Sequence, residues 1–365
     1  MTDSLRRCVV TDRERFNAWM HFEDVDRAPV WEVIGYWPET LEGWQDEGMP
    51  RDVDPRAYFG LDHYERLPIA TEVFPPFKPE TLLEDDAQIV YRDGEGVIMR
   101  KLKHGPRSMP QFLRFPVETR EDWERFKREH LNPDSSARFP RNWEFIARSM
   151  RLRDFPTAVH AGSLFGRPRN WMGMENISYA LYDDPGLVEE MARTMADLSI
   201  ALLEKVFAAT DQVDYAIMWE DMCFIHGCLI SPQHFRRILV PQYQRITEVL
   251  HAHGVDVILL DCDGYHDEIL PLWMEGGVTG VYPLEVAAGE DAVSLRKKYP
   301  GLLLVGGIDK RALARDRAAV RAEVDRTVPF MLEHGGWIPS VDHSVPHDVP
   351  LENYEYYLEL VRGYM

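Results

Sequence analysis

The sequence predicts an α/β protein folded as a single (β/α)8 barrel of the TIM type. Short apolar, β-branched runs alternate with long amphipathic helical patterns through most of the 365 residues, and that alternation favours a parallel sheet. Counting along the chain gives about eight strand–helix units, a number that favours a barrel over a doubly wound sheet. No low-complexity linker or short-period repeat divides the chain, so residues 1–365 read as one domain, with 1–27 as an N-terminal helical extension.

The elements follow in order. Residues 11–22 read as an amphipathic helix and 30–34 as the first strand, with Pro29 where a strand can start. Pro38 then opens a helix containing Leu41 and Trp44. Residues 67–74 form a second strand candidate, closed by Pro75-Pro76. Between 86 and 103, two β-rich runs flank Asp93-Gly94-Glu95-Gly96, which predicts an antiparallel hairpin standing apart from the parallel fold. Charged helices are expected over 119–131 and 140–152. Strands are then expected at 157–160, 213–219, 255–260, 278–282, 302–305 and 337–341, separated by helices that include 184–207, 231–252 and 311–333.

Composition narrows the function classes. With 61 acidic residues against 41 Lys and Arg, the formal charge of −20 disfavours nonspecific nucleic-acid binding and anionic membrane surfaces. No apolar run approaches the roughly 20 residues of a membrane span, and no signal-peptide core follows Arg6-Arg7, so a cytoplasmic protein is expected. Four cysteines are too few for a disulfide framework in a chain this long; Cys223 and Cys228 lack the spacing of a zinc pair and read as ordinary intracellular thiols.

The organising stretch is the run 255–260, which ends at Asp261-Cys262-Asp263-Gly264. Two carboxylates two residues apart project the same way from an extended chain. A buried strand delivering acids into a βα loop is how barrels build active sites. For Asp263, capping of a helix over 265–275 is the structural alternative. Reading the other strand ends adds Glu32, Glu72, His160, Glu220, Asp221, Tyr282, Glu285, Asp309, Asp342 and His343. So many acids at one face suggest a pocket for a cation, a metal or a hydrogen-bonding substrate, with His343 suited to acid–base work near neutral pH. Trp31, Tyr36, Trp37, Trp44 and Trp171 could line a cavity, although core packing explains any one of them. Arg167 and Arg169 read as surface salt-bridging residues, with anion binding at a helix start as the alternative.

The chain resembles the uroporphyrinogen decarboxylase superfamily, which holds the decarboxylase itself and cobalamin-dependent methyltransferases. The landmarks are Asp26-Arg27-Ala28-Pro29-Val30-Trp31, Ala161-Gly162, Ile230-Ser231-Pro232, Gly306-Gly307-Ile308-Asp309, and Asp342-His343-Ser344-Val345-Pro346 with Glu352-Asn353. The true decarboxylase carries an Arg-Gln-Ala-Gly-Arg segment after its first strand for the substrate carboxylates. Here that region is Glu32-Val33-Ile34-Gly35-Tyr36-Trp37, without either arginine, so a tetrapyrrole polycarboxylate is not the expected substrate. Glu72 takes the place of that enzyme's second-strand Asp, and His343 matches its late histidine. The methyltransferases hold zinc with a His-x-Cys pair where this chain has Asp261-x-Asp263. The resemblance therefore implies a harder donor set, Asp261, Asp263 and His343, for zinc or another divalent metal.

What the resemblance implies is a corrinoid-dependent methyltransferase, moving a methyl group between a small substrate and a corrinoid carried by a partner protein. The alternatives are a lyase that decarboxylates a small aromatic or heterocyclic acid, and a non-catalytic small-molecule-binding barrel. In the enzyme readings His343, Asp221, Glu220 and Glu72 are the catalytic candidates. Glu32, Trp37, Tyr282, Glu285 and Asn170 are the substrate-binding candidates.

Overall fold

The computed structural model describes residues 10–104 and 109–365. Seven parallel strands form one curled sheet in the order Glu65–Arg66, Thr157–His160, Tyr215–Trp219, Ile258–Asp261, Gly280–Tyr282, Leu303–Val305 and Trp337–Ile338. Neighbours in the sheet are neighbours in the chain, because each strand is returned by a helical segment packed outside. The eighth strand expected at 30–34 is not laddered. Its segment instead meets residues flanking the two edge strands: Asp62 N–H donates to the Val30 carbonyl at 3.0 Å, Val30 N–H donates to Asp62 Oδ2 at 2.8 Å, and Val33 N–H donates to Ser340 Oγ at 3.2 Å. The second strand is also shorter and earlier than expected, Glu65–Arg66 rather than 67–74. Pro68 cannot donate to a ladder, so pairing stops there.

One face of the sheet looks into the lumen and carries Ala158, Tyr215, Ile217, Val257, Leu259, Tyr282, Leu303, Val305 and Ile338. The amino ends of the strands are plugged by the helix Asp12–Met20, whose Phe16 and Met20 join this inner cluster. Thr11 starts that helix with a capping box to Glu14. Arg13 pairs with Asp214 at 2.7 Å and the Trp19 indole donates to the Trp337 carbonyl at 2.7 Å, so the plug is pinned polar as well as apolar. With one end closed, only the carboxyl ends of the strands offer access to the lumen.

The outer face is covered by helices, of which Pro185–Ala209 is the longest. The helices expected over 231–252 and 311–333 are each two segments, Pro232–Ile238 with Val240–Ala252, and Lys310–Leu313 with Arg317–His334. Pro241 suits the first turn of its segment, where no intrahelical donor is needed. The expected hairpin is part of a four-stranded antiparallel sheet: Glu80–Glu84, Gln88–Arg92, Ile98–Leu102 and Gln111–Arg114. Its Asp93–Gly96 turn reaches back to the mouth.

Candidate active site

The acids expected at the mouth separate into two kinds. Glu220 follows the strand Tyr215–Trp219 but turns away from the lumen, into the layer between sheet and helices, and is fully buried. Its Oε1 accepts from Leu164 N–H at 2.7 Å and the Tyr243 hydroxyl at 2.5 Å; its Oε2 accepts from Phe165 and Gly166 N–H at 2.9 and 2.8 Å. Ser163 Oγ adds a fifth donor at 3.4 Å. Burial pushes the carboxyl pKa up and the donors oppose it. With backbone N–H groups on both oxygens, the arrangement suits an ionised carboxylate that fixes the 163–166 turn. Gly166 is required there, since a Cβ would meet the Glu220 carbonyl oxygen at 2.1 Å. Glu220, expected as a catalytic candidate, is instead held as a structural anchor with its oxygens already filled. Asp342 is similarly tied, to Lys310 N–H, Lys310 Nζ and Val286 N–H at 3.1, 3.2 and 3.0 Å.

Asp261 is different. It ends its strand beside Trp219 and Tyr282, its ladder partners, and no N–H or O–H group among the described residues satisfies its carboxylate. Desolvation, then the charge of Asp263, raises its pKa to about 7, with Arg66 and His343 pulling the other way. Asp263 accepts from or shares a proton with His343, Oδ2 to Nε2 at 3.3 Å, and that hydrogen bond raises the imidazole pKa. Asp263 does not cap the next helix, which begins only at Leu270. Asp221 sits in the left-handed region with φ 40° and is held by Arg169 at 3.0 Å.

Arg66 was not legible as a site residue. In the ladder it pairs with Ala158, which faces the lumen, so Arg66 faces the lumen too. It is solvent-accessible and makes no hydrogen bond or ion pair with any described residue. Desolvation disfavours its charge, but Tyr282, Tyr215, Tyr64 and Asp261 outweigh that and raise its pKa. A misplaced second strand hid it: starting the strand at 67 left Arg66 in a loop, whereas alternation from Tyr64 would have pointed it inward.

The opposite side of the mouth is a network. Glu72 pairs with Arg167 at 2.7 Å and lies 3.8 Å from His160 Nε2. Arg167 also pairs with Glu95, from the antiparallel sheet's turn, and stacks 4.3 Å over Trp219. The Trp171 indole donates to Glu95 at 3.1 Å. Arg167 thus belongs to the mouth and not to the outer surface. His160 Nδ1 accepts from Gly162 N–H at 3.2 Å; desolvation, then Arg167 and Arg66, drops its pKa to about 3, so its ring is neutral.

The substrate-binding candidates scatter. Glu32 is buried, accepting from Ser340 Oγ at 2.8 Å and the Tyr354 hydroxyl at 3.0 Å, and desolvation raises its pKa to about 8. Trp37 is exposed and stacks on His347 at 5.9 Å, beside Lys310 and Arg311. Tyr282 belongs to the inner apolar cluster. Asn170 accepts from Arg169 at 3.0 Å. Glu285 accepts from Gly264 N–H at 3.1 Å and so braces the acid loop.

A divalent metal does not fit the donors as they lie. Among the described residues no three His, Cys, Asp or Glu side chains gather into a metal-holding group. Asp263 and His343 are spent on each other, and Lys310 already pairs with Glu285 and Asp342.

A curled parallel sheet with its functional groups at the carboxyl ends defines an α/β-barrel-like enzyme scaffold. The uroporphyrinogen decarboxylase (URO-D) family profile matches residues 99–364, and the chain belongs to that family. Among solved structures, a methyltransferase from Methanosarcina mazei is similar over 97% of this chain and 99% of its own, with a TM-score of 0.63 at 17% identity. That likeness establishes the fold. A Listeria monocytogenes protein proposed to be a vitamin-B12-independent methionine synthase aligns over 60% of this chain and 69% of its own at 14% identity, and its TM-score of 0.37 carries no argument. No curated protein sequence matches the chain. No helix among the described residues is long and apolar enough to cross a membrane.

Proposed function

We propose that the mouth is the active site of an enzyme that demethylates a small, carboxylate-bearing substrate, the methyl group passing to a corrinoid brought by a partner protein. The observation that carries this reading is Asp261: a carboxyl still half protonated near neutral pH, without a fixed donor, between Arg66 and the Asp263–His343 pair. Arg66, without an ion pair among the described residues, is the cation that a substrate carboxylate would take, since guanidinium and carboxylate match as a two-pronged pair. Neutral Asp261 donates its proton to the leaving heteroatom as the methyl group departs. His343, kept protonated by Asp263, then resupplies Asp261. Arg167 with Glu72 walls the opposite side.

The corrinoid supplies the methyl acceptor and is not held by any residue named here. Exposed Phe224, Ile225 and Tyr265 on the rim suit coverage by a partner protein. The decarboxylase reading has one specific observation in its favour, the same unpaired Arg66 within electrostatic reach of a desolvated Asp261. A carboxylate held there could leave as carbon dioxide and Asp261 could protonate the carbon. Uroporphyrinogen itself is not the substrate in either reading. The segment that would carry paired arginines instead buries Glu32 and turns Trp37 outward, and no coproporphyrinogen should form in a direct assay.

Calorimetric titration with methoxybenzoates and the matching neutral amides is the first test. Binding of the acids but not the amides supports the mouth as a carboxylate site; equal behaviour of the two overturns it. Cob(I)alamin added to a bound acid then separates the readings. Methylcorrinoid with the free phenol is the expected result, and carbon dioxide release without corrinoid would replace it by the lyase.

A further inference from the structure

Beside the mouth, Cys223–Phe224 and Gly227–Cys228 form a two-stranded antiparallel hairpin in which Cys223 stands directly opposite Cys228. Leu229 N–H donates to the Met222 carbonyl at 2.9 Å. Hydrogen-bonded and non-hydrogen-bonded pairs alternate along such a ladder, so the cysteines occupy a non-hydrogen-bonded pair, where Cα atoms lie about 4.5 Å apart. That falls within the roughly 4.4–6.8 Å span of disulfides. The two Sγ atoms are already 2.8 Å apart. Cys262, between the two acids of the organising loop, lies close by. Its thiol is held away from exchange: it accepts from Met222 N–H and donates to the Asp263 carbonyl, both at 3.3 Å, and it is 1% exposed.

We propose that Cys223 and Cys228 are a dithiol site that closes to a disulfide by exchange with glutathione-class disulfides, Cys262 remaining reduced beneath it. Cys228 is the partly exposed thiol and Cys223 the buried one. The Cys223 thiol is kept protonated by its bonds to Cys228 and Cys262, so the first attack belongs to Cys228. Its thiolate displaces one glutathione thiolate and forms a mixed disulfide. Cys223 then loses its proton and attacks Cys228 Sγ, expelling the second glutathione. One glutathione disulfide is reduced to two thiols as the protein dithiol is oxidised, and the balance is complete.

The site touches the acid loop. The Tyr265 N–H donates to the Phe224 carbonyl at 3.2 Å, and a Cβ on Gly264 would meet Phe224 N at 2.5 Å. The hairpin backbone therefore rests directly on the loop after Asp263.

The test uses the full chain with Cys8→Ser and an excess of oxidised glutathione, read by intact mass and peptide mapping. The expected product has lost the mass of two hydrogens, keeps no glutathione, and carries a bond between residues 223 and 228. Cys228→Ser should abolish the reaction. Cys223→Ser should arrest it with glutathione on Cys228, and Cys262→Ser should leave the 223–228 bond intact. A lasting glutathione adduct on the parent protein, a bridge to Cys262, or no reaction would each overturn the proposal. Urea midpoints of the reduced variants establish that each is folded before it is scored.

Discussion

Glu220 and Asp261 follow or end neighbouring strands, and their backbones are joined by a hydrogen bond from Glu220 N–H to the Asp261 carbonyl at 2.9 Å. Both carboxyls are pushed up in pKa by burial. Yet, among the described residues, Glu220 is surrounded by five donors and Asp261 by none that is fixed. What separates a structural acid from a chemical one is the supply of donors around it and not its place in the strand. A carboxylate whose lone pairs are all filled has no remaining capacity for a substrate proton, whereas one left unsatisfied in a desolvated mouth holds a proton loosely near pH 7.

The largest effect that sharpens this contrast is expected for Glu220→Gln. Its amide would set N–H against backbone N–H, leaving buried donors unpaired. Unfolding free energy should fall by about 3 kcal/mol, read from urea midpoints. A stable Glu220→Gln protein would erase the distinction. Asp261→Asn should do the reverse, lowering turnover about a hundredfold with little change in fold.

Asp261→Asn also carries a pH signature. The folded-state pKa is raised from 3.8 to about 7, so the native protein binds the proton more tightly than the unfolded chain, and stability falls as pH rises through that window. Relative to the parent, the Asn variant should gain thermal stability progressively between those values and gain nothing below them. A Tm difference independent of pH would show that Asp261 is not desolvated as described.

Arg66→Gln is expected to raise KM for a carboxylate substrate about tenfold, the loss of one charge-assisted contact, with a smaller change in kcat. Arg66→Lys should recover part of it. The smallest effect is on His343. In Asp263→Asn its pKa, followed by NMR, should drop back toward the ordinary value. The stability its raised pKa provides, present below about 6.5 and lost as pH rises through the folded value, should go with it.

Much of the fold could be read from sequence because it rests on local pattern. The runs around 157–160, 215–219 and 258–261 are short, apolar and β-branched, and a two-faced buried strand leaves that mark. The segment at 30–34 carries the same mark without a ladder, because its N–H groups are taken by side chains, the Asp62 carboxylate and the Ser340 hydroxyl, instead of by a partner strand. At the mouth, Asp263 and His343 were legible from their positions at strand ends. Glu220 was misjudged because its donors come from residues 163–166 and Tyr243, remote in sequence and close only after folding. Arg167 was misjudged because its partners, Glu72 and Glu95, arrive from the loop after the strand Glu65–Arg66 and from a turn of a separate sheet.

The Arg167 guanidinium lying 4.3 Å over Trp219 has an optical consequence. A cation against the face of an indole shifts the energy of its excited state, and Trp219 is the ladder partner of Asp261. Anything that enters the mouth and draws Arg167 away, or changes the charge on Asp261, will alter the emission of that one indole. The chain has 10 tryptophans, so the difference spectrum against Trp219→Phe isolates the signal, and the protein can report its own occupancy without a label.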